Sequence, residues 1–247
     1  MPKFPMDGTM SSFKTTSNYG FSAVRFDQLG ATEYSLSMIV VDKSSSLNGY
    51  DRDLEKMLKA SAESCQNSPR AENLMLRVVA FNQCEEEIHG FKLLNTIDLA
   101  NYDNCIQTAG TTLLFDTVYK AIEASRDYGK MLVDQDYLAN AIIFVITDGM
   151  DNESKYTPDK IKTLINSVRK AEVLDSIAVV LIGMTGEPSV QQYLEEFKNK
   201  AELDEYIDMG EVTPKKLAKL AKYVSKSTSS TSQALGTGGP SKSLSLV

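Results

Sequence analysis

Three side chains that carry oxygen stand at alternate positions immediately after an apolar stretch of the sequence. Asp42, Ser44 and Ser46 follow residues 34–41, in which apolar residues first alternate with serines and then run without interruption. Alternate residues of an extended loop point the same way, so one carboxylate and two hydroxyl groups can face one point. Such a set suits a hard divalent cation that keeps some of its water better than it suits zinc. A serine-rich turn is the alternative interpretation of the same spacing.

The apolar stretch itself predicts the element that positions these side chains. Its last three residues, Ile39, Val40 and Val41, are β-branched, and a continuous run of this kind is typical of a strand that is covered on both faces of a sheet. In open α/β sheets, ligands bind beyond the carboxyl ends of the strands. The three oxygen-bearing residues lie at that position.

Two further polar segments are expected at the same edge of the sheet. A second buried strand is predicted over residues 139–146 and leads to Asp148, and a polar segment at residues 110–112 precedes a helical pattern that begins at Phe115. Parallel strands in a doubly wound sheet deliver their carboxyl ends to one edge, so these segments can meet. The side chains expected to share one ion are those of Asp42, Ser44, Ser46, a threonine at residue 111 or 112, and Asp148.

Strands and helical patterns alternate along the chain, and this alternation predicts the fold class. Further strands are predicted over residues 73–81, 176–184 and 205–209, with an extra strand within 19–29 and a short edge strand over 88–94. Helices are predicted over residues 51–65, from Phe115 to a stop at Gly129, from Pro158 to Val168, over 191–200 and over 214–224. We therefore expect an α/β domain with a doubly wound, mostly parallel central sheet flanked by helices.

Composition divides the chain into three parts. Residues 1–18 are polar and lack periodicity, so we expect a mobile N-terminal arm or an extension of the sheet edge. The domain itself is predicted over residues 19–225. Residues 226–247 are rich in serine, threonine and glycine, which predicts a flexible tail.

Within the domain, the three acids at residues 85–87 are interpreted as a solvated turn.

The composition of the whole chain argues against several classes of partner. Its net charge of −7 and its isoelectric point of about 4.9 argue against nucleic acid. No long window is uninterruptedly apolar, and the N-terminus has no signal-peptide pattern, so we expect no membrane partner. Three cysteines that are distant in sequence fit neither a disulfide framework nor a metal-ligand spacing, and they indicate reduced thiols in a cytoplasmic protein.

A catalytic role is the main alternative to binding alone. An aspartate after a buried strand can accept a phosphoryl group beside Mg²⁺, but Ser44 stands where such phosphotransferases carry a second acid, and no lysine follows the strand over residues 176–184. No Gly-x-x-x-x-Gly-Lys or Gly-x-Ser-x-Gly motif occurs, and His89 is the only histidine. We predict no catalytic residue. A structural or virion component that uses the fold without an ion is a third alternative.

Three motifs, in this order along the chain, resemble the von Willebrand factor A family. They are Asp-x-Ser-x-Ser at residues 42–46, Gly-Thr-Thr-Leu-Leu-Phe-Asp at 110–116 and Val-Ile-Thr-Asp-Gly at 145–149. Each motif lies at a predicted strand end or helix start, and the resemblance covers about residues 34–225. It implies the Rossmann-like three-layer fold of that family and a metal-ion-dependent adhesion site formed by these loops.

The resemblance also implies a ligand at each matching position. It implies that Asp42, Ser44 and Ser46 ligate the ion directly or nearly so, and that Asp148 holds a bound water. For the threonine it implies Thr112.

The choice of threonine and two departures from the family pattern need comment. Thr111 and Thr112 are adjacent, and Thr112 stands four residues before Asp116, as in bacterial members that read Gly-Gly-Thr-x-Leu-Tyr-Asp. Ser45 replaces a glycine that many members carry. Lys43 lies inside the first motif, where it would weaken cation binding if it turned inward, and we expect it to point to solvent.

The charge of the implied ligand set predicts what the site does. With only one or two carboxylates, a divalent ion stays electrophilic, and a carboxylate from a partner can replace a water in its shell. Mg²⁺ is the expected ion, with Mn²⁺ or Ca²⁺ as alternatives. We therefore expect a divalent-metal-dependent protein–protein interaction module that binds an acidic residue of a partner. Stand-alone bacterial and phage proteins similar to this one often act beside AAA+ ATPases or in stress-response systems, which implies an adaptor role.

Overall fold

The apolar runs of the sequence form the strands of one mixed sheet. The computed structural model describes residues 8–237. The strands are β1 (Met10–Lys14), β2 (Gly20–Val24), β3 (Glu33–Asp42), β4 (Leu74–Phe81), β5 (Glu85–Leu93), β6 (Leu138–Thr147), β7 (Ile177–Gly183) and β8 (Glu205–Asp208). The α-helices are α1 (Asp51–Gln66), α2 (Leu114–Val133), α3 (Pro158–Lys170), α4 (Pro188–Ala201) and α5 (Pro214–Thr237).

The strand β3, which leads to Asp42, lies in the middle of the sheet. The strand order is β1-β2-β5-β4-β3-β6-β7-β8. β3 pairs in parallel with β4 on one side and with β6 on the other, and β7 and β8 continue the parallel part beyond β6. β5 is antiparallel to β4, and β1 is antiparallel to β2. The prediction of a doubly wound, mostly parallel sheet is confirmed.

Helices cover both faces of the sheet, because the side chains of β3 alternate between two buried clusters. Met38 and Val40 pack with apolar residues of α2, α3 and α4, whereas Ile39 and Val41 pack with those of α1 and α5. Burial of a large aliphatic side chain contributes about 1.5–3 kcal/mol, so this alternation is strongly favoured. It produces the three-layer α/β architecture expected from the sequence.

The strand β5 differs from its prediction in position and in surroundings. The sequence predicts a short edge strand after a solvated turn, but β5 lies between β4 and β2 and includes all three glutamates, so both predictions are wrong. Each glutamate meets a basic side chain from another element, which compensates its charge inside the structure. The pairs are Glu85 with Lys120, Glu86 with Lys43, and Glu87 with the fully buried Arg77. Local spacing cannot reveal partners that are distant in the sequence.

The chain before residue 19 is ordered into the sheet where the structure describes it. Residues 10–14 form β1, so the prediction of a mobile arm is wrong for them and the alternative of an edge extension is correct. The ring of Phe13 stacks on that of Phe21 with centroids 5.6 Å apart, which fastens β1 to β2. Residues 1–7 lie outside the described part of the chain.

The helix α5 extends well past its predicted end at Val224. Residues 226–237 belong to it, so the prediction of a flexible tail is wrong for this stretch, while residues 238–247 lie outside the described part of the chain. Several of the hydroxyl groups that suggested flexibility are hydrogen-bonded to groups beneath the helix. These contacts join Thr228 to Ser37 at 2.9 Å, Ser232 to Arg70 at 2.9 Å and Ser229 to Ser68 at 3.1 Å. A polar interface here takes the place of the apolar stripe that sequence patterns detect.

The helix α2 likewise continues through its predicted stop. It runs to Val133, and Gly129 lies inside it, so the predicted end at this glycine is wrong. Close packing explains the glycine better than helix termination does. A Cβ at Gly129 would come within 2.2 Å of Leu174 Cδ2, so a larger residue would displace that side chain.

Candidate metal site

Asp42 is the last residue of β3, and its carboxylate is held from two sides. Oδ1 accepts a hydrogen bond from the Ser44 backbone N–H at 2.7 Å, and Oδ2 accepts one from Thr147 Oγ1 at 2.6 Å. Thr147 ends β6, the strand beside β3, so two neighbouring strands jointly orient this buried carboxylate. Sequence reasoning identified Asp42 but not Thr147, because the role of Thr147 depends on the pairing of the two strands.

Ser44, Ser46 and Asp148 form a continuous chain of hydrogen bonds. The hydroxyl oxygens of Ser44 and Ser46 are 3.0 Å apart, and Ser46 Oγ donates to Asp148 Oδ1 at 2.9 Å. A short 3₁₀ turn over Ser45–Leu47 bends the chain between β3 and α1. Ser46 and Asp148 are 102 residues apart in the sequence, and the fold brings them into contact beside Asp42.

Thr112 lies next to the loop that carries Asp148. It is buried, and its hydroxyl oxygen is 3.9 Å from the position that a Cβ on Gly149 would occupy. The hydroxyl of Thr111 is also buried and has no hydrogen-bond partner among residues 8–237. The structure therefore gathers four predicted site residues into one hydrogen-bonded set and places Thr112 beside that set, across Gly149.

The polar segment before α2 is fixed against the loop after β3. The Ala109 N–H donates to the Lys43 carbonyl at 2.8 Å, and the Ser45 N–H donates to the Gly110 carbonyl at 3.1 Å. Gly110 has a φ of +80°, in the left-handed region that favours glycine. From the other side, Asn82 Nδ2 donates to the Ala109 carbonyl at 2.7 Å. These bonds set the position from which Thr112 approaches the site.

The loop after β6 caps the start of α2. Leu113 stands at the N-cap and makes no side-chain capping bond. Asp151 Oδ1 instead accepts from the Phe115 N–H at 3.1 Å, and Ser154 Oγ accepts from the Asp116 N–H at 3.0 Å. Such bonds satisfy the free N–H groups of the first helical turn. Sequence reasoning missed them because the cap comes from a different loop, and turn-forming residues after a strand were the only local signal.

Lys43 does not point to solvent, so that prediction is wrong. Its side chain is 9 % exposed and forms an ion pair with Glu86. The reason is the position of β5, which presents a carboxylate where the sequence suggests a solvated turn. Glu86 compensates the charge of the Lys43 ammonium group. Repulsion between that group and a cation beside Asp42 is therefore reduced.

The two carboxylates of the site are poorly stabilised in their charged forms. Burial, with a smaller contribution from the charge of Asp148, raises the pKa of Asp42 to about 6 against the opposing hydrogen bonds from Thr147 and Ser44. Burial also raises the pKa of Asp148, while the hydrogen bond from Ser46 opposes this shift. A divalent cation favours the charged form of a nearby carboxylate. Two undercompensated carboxylates beside three hydroxyl groups therefore fit a hard cation that binds oxygen.

Other side chains that could take part in catalysis or metal binding are buried or isolated. His89 is buried with Nε2 2.6 Å from the Tyr102 hydroxyl oxygen, and burial lowers its pKa to about 3. The three cysteines are free, and only Cys84 is exposed. Across residues 8–237, no group of three or more histidine, cysteine, aspartate or glutamate side chains is arranged to hold a metal. In the same range, no helix has both the length and the apolar content needed to cross a membrane.

Comparison with known proteins finds similarity in structure rather than in sequence. No protein-family model matches the chain, and no curated protein matches it. Among solved structures, the PilB minor pilin from Streptococcus sanguinis matches with a TM-score of 0.56 at 16% sequence identity. That match covers 89% of this chain and 66% of the pilin chain.

Two further matching structures have descriptions that are relevant to the candidate site. Proximal thread matrix protein 1 from the mussel byssus, in a structure with a zinc-occupied MIDAS motif, matches with a TM-score of 0.51 at 18% identity over 81% of this chain and 47% of its own. The ArnB paralog VWA2 from Sulfolobus acidocaldarius matches with a TM-score of 0.52 at 11% identity over 92% and 52%. This chain thus spans about two thirds or less of the proteins it matches. At such low identity the likeness concerns architecture, and the chain has a von Willebrand factor A-like fold.

Proposed function

We propose that this chain is a divalent-metal-dependent module for protein–protein interaction. The observation that carries the proposal is the hydrogen-bonded chain from Ser44 through Ser46 to Asp148, beside the buried Asp42. It lies at the carboxyl ends of two adjacent parallel strands, which is where ligands bind in open α/β sheets. Oxygen atoms gathered at this position, with two carboxylates that lack a cationic partner in the set, support binding of a hard cation.

The donor set also bears on the identity of the ion. Oxygen ligands alone suit Mg²⁺, with Mn²⁺ or Ca²⁺ as alternatives, whereas zinc more often takes sulfur and nitrogen. The zinc-occupied MIDAS motif of the mussel protein makes zinc a necessary comparison in any test. The residues that would hold the ion are Asp42, Ser44, Ser46, Thr112 and Asp148.

The charge balance of these residues favours one class of ligand. When bound, the ion would supply a positive centre able to accept a further oxygen ligand. Only the carboxylates of Asp42 and Asp148 would offset its charge, since the hydroxyl groups are neutral. Thr147 and the Ser44 N–H keep the Asp42 carboxylate in one orientation, so little reordering is needed on binding. An aspartate or glutamate of a partner protein is the ligand that matches this remaining positive charge.

The wider setting that we propose is an adaptor role in a bacterial or phage assembly, such as an AAA+ ATPase or stress-response system. The resemblance of the three motifs supports this setting by analogy between families, since a shared fold alone does not imply a function. We propose no catalytic role, and the buried position of His89 agrees with that choice. Turnover of generic phosphate esters in the presence of Mg²⁺, lost in Asp42→Ala, would contradict it.

Ion binding is tested by calorimetric titration with Mg²⁺, Mn²⁺, Ca²⁺ and Zn²⁺. We expect the unsubstituted protein to bind at least one of the first three ions and Asp42→Ala to lose that binding. The matched control is Asp134→Ala, which removes an exposed carboxylate at the C-terminal end of α2. This control should bind the ion like the unsubstituted protein. Absence of binding at millimolar ion would instead favour a structural component that uses the fold without metal.

Partner recognition is tested separately, by affinity capture from the native host in Mg²⁺ and in chelator. We expect a set of proteins that is captured in Mg²⁺ and lost both in chelator and with Asp42→Ala. The Asp134→Ala variant should capture the same set as the unsubstituted protein. An identical set of captured proteins under all of these conditions would rule out ion-dependent recognition.

A further inference from the structure

Asn152 makes two hydrogen bonds to the backbone of Thr112. The Thr112 N–H donates to Asn152 Oδ1 at 3.1 Å, and the Asn152 N–H donates to the Thr112 carbonyl at 2.9 Å. The two residues are 40 positions apart in the sequence. Both polar groups of the Thr112 peptide backbone are therefore bound by one residue of the loop that follows β6.

This pairing connects two segments that each supply a candidate ligand. Thr112 precedes α2, and Asn152 follows Asp148 on the same loop. The other hydrogen bonds between these segments lie further along the helix, at residues 115 and 116. The contact at Thr112 itself comes from Asn152.

Asn152 is exposed, so its effect on the candidate site can be measured separately from any effect on folding. An exposed side chain outside the core usually contributes little to stability. Its carbonyl oxygen nevertheless holds the peptide group of a buried threonine whose hydroxyl adjoins the site. A residue of this kind can be substituted without loss of the fold.

We propose that Asn152 is a positioning residue for the ion. Its side-chain oxygen holds the Thr112 peptide so that the Thr112 hydroxyl remains beside the Asp148 loop. This inference rests on the proposed function, because it requires Thr112 to be a ligand. Residues that orient a metal ligand typically change metal affinity by 10- to 100-fold when they are removed. Since Asn152 is exposed and one of its two bonds uses the backbone, we expect the lower end of that range.

The test is a Mn²⁺ titration of four proteins: the unsubstituted chain, Asn152→Ala, Thr112→Val, and the double variant. We expect Asn152→Ala to weaken Mn²⁺ binding about tenfold. We expect the same substitution to have no further effect in the Thr112→Val background, because its target hydroxyl is then absent. Water-proton relaxation should show about one more water on Mn²⁺ in Asn152→Ala, in the place left by the hydroxyl.

Ser154→Ala is the matched control, since it removes a capping bond of α2 in the same loop without touching Thr112. It should lower the unfolding midpoint while leaving the number of waters on Mn²⁺ unchanged. Equal Mn²⁺ affinity of Asn152→Ala and the unsubstituted chain would overturn this inference alone. An equal loss of Mn²⁺ affinity on Asn152→Ala substitution in the unsubstituted and the Thr112→Val backgrounds would overturn it too. Absence of Mn²⁺ binding to the unsubstituted chain would overturn the proposed function and this inference with it.

Discussion

At the scale of single residues, the buried carboxylate of Asp42 is the clearest feature that supports the proposed ion site. It is buried near a second carboxylate, Asp148, and only the hydrogen bonds from Thr147 and Ser44 offset its charge. A buried carboxylate without a cationic partner is unfavourable when it is charged. Binding of a cation would remove that penalty.

The pKa of Asp42 predicts how the stability of the metal-free protein depends on pH. Its folded-state value of about 6 exceeds the ordinary 3.8, so the folded chain holds the proton more tightly than the unfolded chain does. The contribution of protonated Asp42 to the free energy of unfolding is complete below about pH 4 and is lost as the pH rises through about 6. Asp42→Asn avoids the loss, so in chelator near pH 7.5 we expect it to be more stable than the unsubstituted protein, by on the order of 1–3 kcal/mol.

Urea unfolding at several pH values in chelator measures this difference. The control is Asp134→Asn, at a carboxylate that is 57 % exposed, which should leave the free energy of unfolding nearly unchanged. A metal-free Asp42→Asn protein that is less stable than the unsubstituted one near pH 7.5 would show that burial does not penalise this carboxylate.

The Lys43–Glu86 pair gives a second prediction at this scale. Removing one partner of an ion pair leaves the other charge uncompensated, and the penalty is larger when the charge that remains is more deeply buried. Since Lys43 is 9 % exposed and Glu86 is 29 % exposed, we expect Glu86→Gln to destabilise the protein by about 1–3 kcal/mol and Lys43→Met to cost less. Urea unfolding of both variants measures this, and a larger loss for Lys43→Met would contradict it.

The residues of the candidate site that could be proposed from the sequence are those with a local signal, and those that act through distant partners could not be. Asp42, Ser44 and Ser46 stand at regular spacing after a recognisable strand, and Asp148 follows another. The roles of Thr147, Asn152 and the partner of Lys43 depend on which strands and loops become neighbours. Hydrogen bonds between residues 40 or more positions apart leave no pattern in a single sequence.

At the scale of elements, the start of α2 depends on a cap that the helix does not supply itself. Asp151 accepts from the Phe115 N–H and from the backbone N–H and hydroxyl of Ser154. Loss of a capping side chain costs about 1 kcal/mol. We therefore expect Asp151→Ala to lower the free energy of unfolding by about 1–2 kcal/mol, measured by urea unfolding. Glu153→Ala, an exposed residue of the same loop, should change it much less, and equal effects of the two would contradict the cap.

The C-terminal half of α5 gives a prediction that separates a helix from a flexible tail. Buried hydroxyl groups at residues such as Thr228 and Ser232 bond to β3 and to Arg70. Backbone amides over residues 228–235 should therefore exchange with deuterium slowly, as amides in protected helices do. Hydrogen-exchange mass spectrometry measures this, with the exchange rate of an unstructured peptide of the same sequence as the reference. Exchange of 228–235 at the rate of an unstructured peptide would support the tail predicted from composition.

Helices and strands were predictable where the spacing of apolar residues within the segment determines which of its side chains are buried. The runs that became β3, β4, β6 and β7 are mostly apolar, and α1, α3 and α4 show apolar residues at helical spacing. β5 and the end of α5 were misread because their polar residues are buried against matching polar groups. Burial of that kind is decided by the partner, so composition alone points to solvent.

At the scale of the whole molecule, the order of strands brings three separate polar segments together in one candidate site. β3 lies between β4 and β6, so the loops after β3 and β6 are adjacent, and the segment before α2 packs against both. An ion held between these loops would link parts of the chain that are distant in sequence. Its binding would therefore stabilise the fold as well as the site, by an amount that grows with ion concentration.

The most direct test of the central claim is a crystal structure with Mn²⁺, whose anomalous scattering locates the ion. We expect one strong peak about 2.1 Å from the hydroxyl oxygens of Ser44 and Ser46, within reach of Asp42 and Asp148, and no such peak in Asp42→Ala. A peak at another place on the molecule, or none at millimolar Mn²⁺, would contradict the claim that these loops form a metal site.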